Sequence, residues 1–212
     1  DYFINLTPEL QQEIIRRSFD TECDYKKGLS DEETRDHMRL IMEELELKQE
    51  DRAPVKPARA YAERLMKRTV DNEIPAVIAF ELNDGRIITG RTSDLMDACS
   101  SAILNAIKAL ANISDDILLL SPVILEPIKK LKSDGLHKRI PTLTANEILI
   151  ALSISAVTNP TAQLAYDKLS ELKDVQAHST VILNKDDDQI LRNLGLDITC
   201  DPVYPSENLY YV

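Results

Sequence analysis

The polar stretch Arg91-Thr92-Ser93-Asp94 places a cation, two hydroxyls and a carboxylate directly after an apolar segment that predicts a strand. A helical pattern follows at once, from about Ser93 to Ala111. The first N–H groups of a helix lack intrahelical partners and lie at its positive end, so a phosphate or carboxylate binds there readily. The stretch therefore predicts an anion site. The alternative is that Thr92 or Ser93 caps its own helix and Arg91 is solvated.

A second helix start follows at Ser121-Pro122, which places an N-cap serine before a proline at the first helical position. The apolar run Ile117 to Leu120, just before it, predicts a short buried strand. If this strand is parallel to the one before Arg91, both helix starts lie at the same edge of the sheet, where ligands of open α/β sheets collect. We expect the Arg91-Thr92-Ser93 stretch and Ser121 to line one polar pocket for a small anionic metabolite or a nucleotide-like compound.

Other polar side chains carry weaker functional signals. Asn159 precedes a proline and is interpreted as the N-cap of a helix, with ligand binding as the alternative. His178, Ser179 and Thr180 lie in a predicted strand, Val175 to Leu183. Because adjacent strand residues point to opposite faces, His178 and Ser179 are not a nucleophile and its base. His178 is expected to hydrogen-bond within a polar patch under the sheet, and a catalytic or binding role is the alternative.

Composition excludes several classes of partner. The formal net charge is −11 and no run of Lys or Arg occurs, so a nucleic-acid partner is not expected. The longest strongly apolar run, Ile148 to Val157, is interrupted by two serines and is far short of the roughly 20 residues that a bilayer needs, so no membrane partner is expected. Three widely separated cysteines without a C-x-x-C motif favour a reduced, cytoplasmic location. These patterns indicate neither a metal site nor a particular cofactor.

The periodicity of apolar residues changes at about Asp71. Residues 1–70 show helical spacing and capping signals at Thr7-Pro8 and at Ser30 to Glu33, which predict a small helical subdomain. It is too small to bury its apolar faces alone, so we expect it to pack on the next domain or on another chain. Residues 71–212 predict the order β-β-α-β-α-α-α-β-α-β, beginning with a hairpin around Asn83-Asp84-Gly85. This order is typical of a three-layer αβα sandwich.

Several stretches closely resemble one uncharacterised bacterial family, the domain of unknown function 1846. The resemblance extends from about Gln11 to the end of the chain and is carried by these segments: Tyr25-Lys26-Lys27-Gly28-Leu29, Thr89-Gly90-Arg91-Thr92-Ser93-Asp94-Leu95, Leu104-Asn105-Ala106-Ile107-Lys108-Ala109-Leu110, Glu126-Pro127-Ile128, Ala151 to Ala156 with Thr158-Asn159-Pro160, and Gln176 to Leu183.

This resemblance implies a fold and a larger protein. Members of the family are more than twice as long, so the chain is expected to be the carboxy-terminal part, with the missing amino-terminal half as its partner. The resemblance also implies a helical subdomain followed by an αβα sandwich similar to the cytidine-deaminase-like architecture, without its zinc site. Some members have been described as ATP-dependent zinc proteases. The sequence gives that description no support, because it contains neither H-E-x-x-H nor G-x-x-x-x-G-K-[ST].

Two functional hypotheses remain open at this point. In the first, the chain binds a small anionic ligand and is catalytic only together with the absent half. In the second, it is a structural module without activity of its own, in which the helical subdomain serves self-association into a homo-oligomer.

The purified chain is expected to contain no stoichiometric zinc. A zinc deaminase needs His or Cys at the start of the helix after the hairpin, and P-C-x-x-C at the start of the next. Here those positions hold Arg91-Thr92-Ser93-Asp94 and Ser121-Pro122. Elemental analysis of the purified protein checks this, and about one zinc per chain would contradict it.

Overall fold

The computed structural model describes residues 6–67, 75–137 and 142–205 of the 212-residue chain. Three helices come first: α1 (Pro8–Lys26), α2 (Glu32–Glu44) and α3 (Val55–Met66), with a 3-10 turn at Gln49–Asp51 between the last two. Thr7 caps α1, as the sequence predicts. The side chain of Asp31 accepts the N–H of Thr34 and caps α2.

Within the described residues the sheet has four strands, in the order β2-β1-β3-β4. The predicted hairpin is confirmed: β1 (Val77–Glu81) and β2 (Ile87–Arg91) are antiparallel and joined by a turn that contains Gly85 at φ +81°. The other two strands, β3 (Gln176–Ser179) and β4 (Asp197–Cys200), are parallel to each other, and β3 is antiparallel to β1. The protein is therefore a mixed α/β fold.

In residues 75–137 and 142–205, five helices lie between or beside the strands. They are α4 (Ala98–Leu110), α5 (Pro122–Lys130), α6 (Ala145–Ala156), α7 (Pro160–Tyr166) and α8 (Lys185–Asn193). A π-helical turn at Leu131–Gly135 follows α5, and a 3-10 segment at Asp167–Leu172 follows α7. A capping box begins α6, since Glu147 accepts the backbone N–H of Thr144.

Helices cover both faces of the sheet, as the alternation of side chains along β1 shows. Ile78 and Phe80 belong to the large apolar core that includes residues of α4, α6, α7 and α8. Val77 and Ala79 point to the opposite face and pack with Ala58 of α3. The layer on this second face thus comes from the helical residues at the start of the chain, with α1 contacting β4 beside α3.

The predicted strand at Ile117 to Leu120 is wrong, because these residues form an irregular loop before α5. The ammonium group of Lys108 donates to the carbonyls of Asp115 and Ile117, at 2.9 and 2.8 Å, and so holds the loop against α4. Leu119 and Leu120 are buried in the core and anchor the loop, whereas Ile117 is 42% exposed. A short apolar run signals burial, but it does not distinguish a strand from an anchored loop.

The predicted boundary between residues 1–70 and 71–212 lies at positions 68–74, outside the described residues. On either side of it the secondary structure differs as the sequence predicts, since residues 6–67 contain helices and turns and residues 75–205 contain the sheet. The division into two domains stays a prediction. The contacts of α1 and α3 with the sheet show that the two parts pack together.

Replacing Gly90 by alanine is expected to lower the free energy of unfolding by about 3 kcal/mol or more. A β-carbon at Gly90 would lie 2.1 Å from the backbone nitrogen of Ala102, so α4 and β2 must separate. Gly85→Ala is the matched control, because a β-carbon there meets nothing within 4 Å and only its positive φ is strained, at a cost of about 1 kcal/mol. Urea unfolding measures both variants, and equal losses would contradict close packing at Gly90.

Candidate functional site

The helix after the hairpin begins five residues later than the sequence predicts. Its N-cap is Asp97, whose carboxylate accepts the N–H of Ser100 at 2.7 Å. The hydroxyl of Ser93 instead accepts the N–H groups of Leu95 and Met96 and closes a turn. The prediction of a helix starting at Ser93 is therefore wrong, because Asp97 is a strong N-cap in its own right. The first turn of α4 already holds a carboxylate, which takes the place of an external anion.

Thr92, Asp94 and Ser121 also have defined roles in the backbone structure. The N–H of Thr92 bonds to the carbonyl of Ala76 and extends the hairpin by one pair. The carbonyl of Asp94 accepts the ammonium group of Lys129 at 2.9 Å. Ser121 caps α5 as predicted, with its hydroxyl accepting the N–H of Val123. Ser121 does not, however, follow a strand, so the expected meeting of two helix starts at one sheet edge does not occur.

A groove of about 600 Å³ nevertheless lies beside β2. Arg91 and Ser93 line it, and Pro122 brings the first turn of α5 to it. Thr92, Asp94 and Ser121 are exposed next to these lining residues. Part of the predicted constellation is therefore brought together, but around the edge of β2 and not between two parallel strands.

The charged side chains that line this groove differ in how fully they are hydrogen-bonded to the protein. The ammonium group of Lys108 already donates hydrogen bonds to two backbone carbonyls. Arg91 is exposed, and its guanidinium donates to the carbonyl of Thr92 at a distance of 3.4 Å, a long and weak hydrogen bond. Asp115 and Glu126 add two carboxyl groups to the lining. The guanidinium of Arg91 would therefore be the group that attracts an anion entering the groove.

The remaining predicted residues lie elsewhere. Asn159 caps α7, and its side-chain oxygen accepts the N–H groups of Thr161 and Ala162. Ser179 and Thr180 are buried at the end of β3. The hydroxyl of Ser179 donates to the carbonyl of Val181, and that of Thr180 accepts the N–H of Val77. These contacts fix the backbone, and neither residue lines the groove beside β2.

His178 lies in a polar cluster between the sheet and the first helices, as expected for a residue in a polar patch under the sheet. It is fully buried, and its Nδ1 lies 2.9 Å from the hydroxyl of Thr199. Its Nε2 lies 3.4 Å from Asp201 Oδ1, close enough to feel that carboxylate but without a well-formed hydrogen bond. The ring packs on Phe19 of α1, with 4.9 Å between centroids. Because it does not reach solvent, His178 cannot meet a substrate without a local opening.

Two arginines that sequence reasoning missed complete this cluster. Arg52 is fully buried and donates to the Asp197 carboxylate at 3.0 Å. Arg59 of α3 donates to Asp201 at 2.6 Å and also bonds Glu50. The arginines and their aspartate partners are more than 140 residues apart in sequence, so no local motif signals them. In the sequence, only the even spacing of Asp197, which begins β4, and Asp201, which follows its last residue, indicates that the two side chains share one side of an extended chain.

The cluster shifts the ionisation of its members. Burial holds the pKa of His178 below its usual value; the Asp201 carboxylate opposes this, while Arg59 and Arg52 add to it. Burial alone would raise the pKa of Asp201, but contacts with His178 and Arg59 outweigh it and keep that pKa below its usual value. The cluster thus combines a neutral histidine with a charged carboxylate near neutral pH, which suits a structural contact between α3 and the sheet.

The cysteines show no sign of a reactive thiol. Burial raises the pKa of Cys23 and of Cys200 to about 12 in each case, and that of Cys99 is raised as well. Within residues 6–67, 75–137 and 142–205, no group of three or more His, Cys, Asp or Glu side chains is arranged to hold a metal ion. In the same ranges no helix is long and apolar enough to cross a bilayer.

Comparison with known proteins places the chain in a family. The family described as "Domain of unknown function DUF1846, C-terminal" matches residues 50–210. A UPF0371 protein of Clostridium tetani (strain Massachusetts / E88) is 59% identical over 201 residues, which are 95% of this chain and 40% of that relative. A UPF0371 protein of Clostridioides difficile (strain 630) is 58% identical over 200 residues, 94% of this chain and 40% of the relative. The chain therefore belongs to the DUF1846 family and spans about two fifths of the length of these relatives.

Lowering the pH is expected to reduce the free energy of unfolding through His178. Between the lowered folded-state pKa and the unfolded value near 6.5, the unfolded chain binds a proton that the folded chain excludes. This contribution is absent above about pH 7 and grows as the pH falls below about 6.5. Urea unfolding at a series of pH values below about 7 gives the free energy of unfolding as a function of pH. The difference in the slope of this dependence between the wild-type protein and His178→Gln measures the contribution of His178.

The difference between variants is needed because other groups titrate in the same range. The pKa of Asp187 is raised by burial to about 6, which acts in the opposite direction but equally in both proteins. Identical slopes for wild type and His178→Gln would show that His178 is not held neutral in the fold.

Proposed function

We propose that the groove beside β2 binds a small anionic ligand, and that it does so as part of a longer protein. The observation that carries this proposal is the weakly engaged guanidinium of Arg91 within a groove of about 600 Å³. Arginine binds phosphate and carboxylate groups through parallel N–H donors. Thr92 is exposed beside Arg91, whereas the hydroxyls of Ser93 and Ser121 are already hydrogen-bonded in their own turn and helix cap.

The rest of the lining supports a ligand with an anionic end and a less polar body. Apolar side chains of α4, α5 and the preceding loop, together with the ring of Tyr61, form much of the groove: Leu104, Leu118, Leu119, Leu125 and Tyr61. Ligand sites are generally mainly apolar with a few placed polar groups. Asp115 and Glu126 would repel a ligand that is anionic throughout. A nucleotide-like compound, with a phosphate at Arg91 and a ring over the apolar part, fits this distribution.

Catalysis would require further groups. The lining carries four hydroxyl groups and two carboxyl groups, those of Tyr61, Thr89, Ser93, Ser101, Asp115 and Glu126, and a nucleophile needs an adjacent base. We therefore assign any reaction to the groove acting with the additional residues that the relatives carry, and not to this chain alone.

The cytidine-deaminase-like architecture remains part of this proposal. It is supported by an antiparallel edge hairpin, a parallel pair β3-β4 and helices on both faces of the sheet. The zinc chemistry of that fold is not included, because α5 begins with Ser121-Pro122-Val123 where P-C-x-x-C is needed, and the one cysteine at the start of α4, Cys99, is buried in the apolar core.

The alternative is a structural or oligomerisation module, and a surface for it would lie on α6 and not on the first helices. The helical segment is poorly suited to self-association through α1 and α3, because both already pack on the sheet of the same chain. The exposed apolar face of α6 is a better candidate surface. Size-exclusion chromatography that shows a stable oligomer, together with a melting temperature indifferent to every anion tested, would favour this alternative.

Arg91→Ala is expected to abolish stabilisation by anions. A ligand that binds only the folded state at 100 times its Kd adds about 2.7 kcal/mol, and each kcal/mol raises the melting temperature of a chain of this size by roughly 2–4 °C. Thermal unfolding is measured with inorganic phosphate, pyrophosphate and adenosine monophosphate. The wild-type protein should be stabilised by at least one of these probes, and Arg91→Ala by none.

Arg86→Ala is the matched control, because Arg86 lies in the same hairpin but bonds Asp84 and the carbonyl of Ala109. It should respond to anions like the wild-type protein. Equal stabilisation of Arg91→Ala and the wild type, or no response of the wild type, would overturn the proposal.

A further inference from the structure

Helix α6 presents an apolar stripe to solvent. Ile150, Ile154 and Val157, the last at the C-cap, are 60%, 61% and 81% exposed. Their i, i+4, i+7 spacing places them on one face of the helix. Leu164 of α7, a helix that packs against α6, is 49% exposed and extends the apolar character of this part of the molecule. We call Ile150, Ile154 and Val157 the α6 stripe.

The opposite face of α6 is already used. Ile148, Ala151 and Leu152 are buried in the main core. The helix is therefore apolar on both sides, whereas a surface helix of a globular protein is normally polar on its outer face. A helix that is apolar all round is typically buried between two layers, and an exposed contiguous apolar patch marks an interaction site.

The comparison with relatives indicates what covers the stripe. The 201 matched residues are 40% of the Clostridium tetani protein, so more than half of such a protein lies outside the match. A region tethered to the same chain meets the stripe at an effective concentration on the order of millimolar. A second copy of the chain does not have this advantage and binds only by bimolecular association. A tethered region that reaches the stripe with a complementary face therefore has the advantage over a separate molecule.

We propose that the α6 stripe is the docking surface for the region that the relatives carry beyond the matched part. The contacting element presents an apolar face of its own, since the stripe offers no charge to pair with. This inference is independent of the proposed anion site, because coverage of α6 is measured without any ligand.

Cysteine labelling tests the proposal. Ile154→Cys is introduced both in the 212-residue chain and in the full-length protein, and the rate of maleimide modification at that peptide is followed by mass spectrometry. Peptide mapping separates this site from the native cysteines Cys23, Cys99 and Cys200. We expect modification to be at least tenfold slower in the full-length protein than in the 212-residue chain. Ile150→Cys is the second reporter, in case one substitution disturbs folding.

Glu33→Cys is the control, because this exposed position on α2 lies on a polar helix and should be labelled at the same rate in both proteins. Equal rates at positions 150 and 154 in the two proteins would overturn the proposal. Slow labelling in the 212-residue chain that becomes fast on dilution would also overturn it, because a second copy would then be the occupant.

Discussion

The fully buried guanidinium of Arg52 is the interaction on which the arrangement of the chain depends. Arg52 lies in the segment between α2 and α3, and its side chain reaches the neighbouring strands β3 and β4. There it bonds the carboxylate and carbonyl of Asp197 and contacts the carbonyl of Ala177. A buried charge is tolerated only when it is paired and hydrogen-bonded. The segment from Gln49 to Arg52 therefore has one position relative to β3 and β4, and α1 and α3 on either side of it are placed accordingly.

Different interactions hold the two faces of the sheet to the helices that cover them. The face toward α4 is apolar, and close approach there requires a glycine at position 90 because a β-carbon would meet the backbone of α4. The face toward α1 and α3 carries charged and polar groups, including Arg59, Asp201 and His178. Ionic contacts fix orientation more specifically than apolar packing does. The groove lies at the β2 edge, where these two faces meet, with Tyr61 from one side and Leu104 from the other.

Local signals in the sequence predicted local structure well. The Asn83-Asp84-Gly85 turn gave the hairpin, and the caps at Ser121 and Asn159 were placed correctly. The strand at Ile117 to Leu120 was wrong because the burial of two leucines came from an anchored loop, whose carbonyls bond Lys108. The helix expected to begin at Ser93 begins after Asp97, because Ser93 and Asp97 both have side chains that can cap a helix. The Arg52 and Arg59 contacts were not predictable, because they join residues that only the tertiary fold brings together.

We expect the helices of residues 6–67 and the sheet to form one cooperative structure held by Arg52, which native-state hydrogen exchange can test. In the wild-type protein, amides of α1 and α3 should open with the same free energy as those of β3 and β4. Arg52→Met leaves the carbonyls of Ala177 and Asp197 without their donor, at a cost of about 1–3 kcal/mol, and should lower the opening free energies of the helices and of the strands together. If α1 and α3 already open at a much lower free energy than the sheet, or if Arg52→Met affects the helices alone, the claim is contradicted.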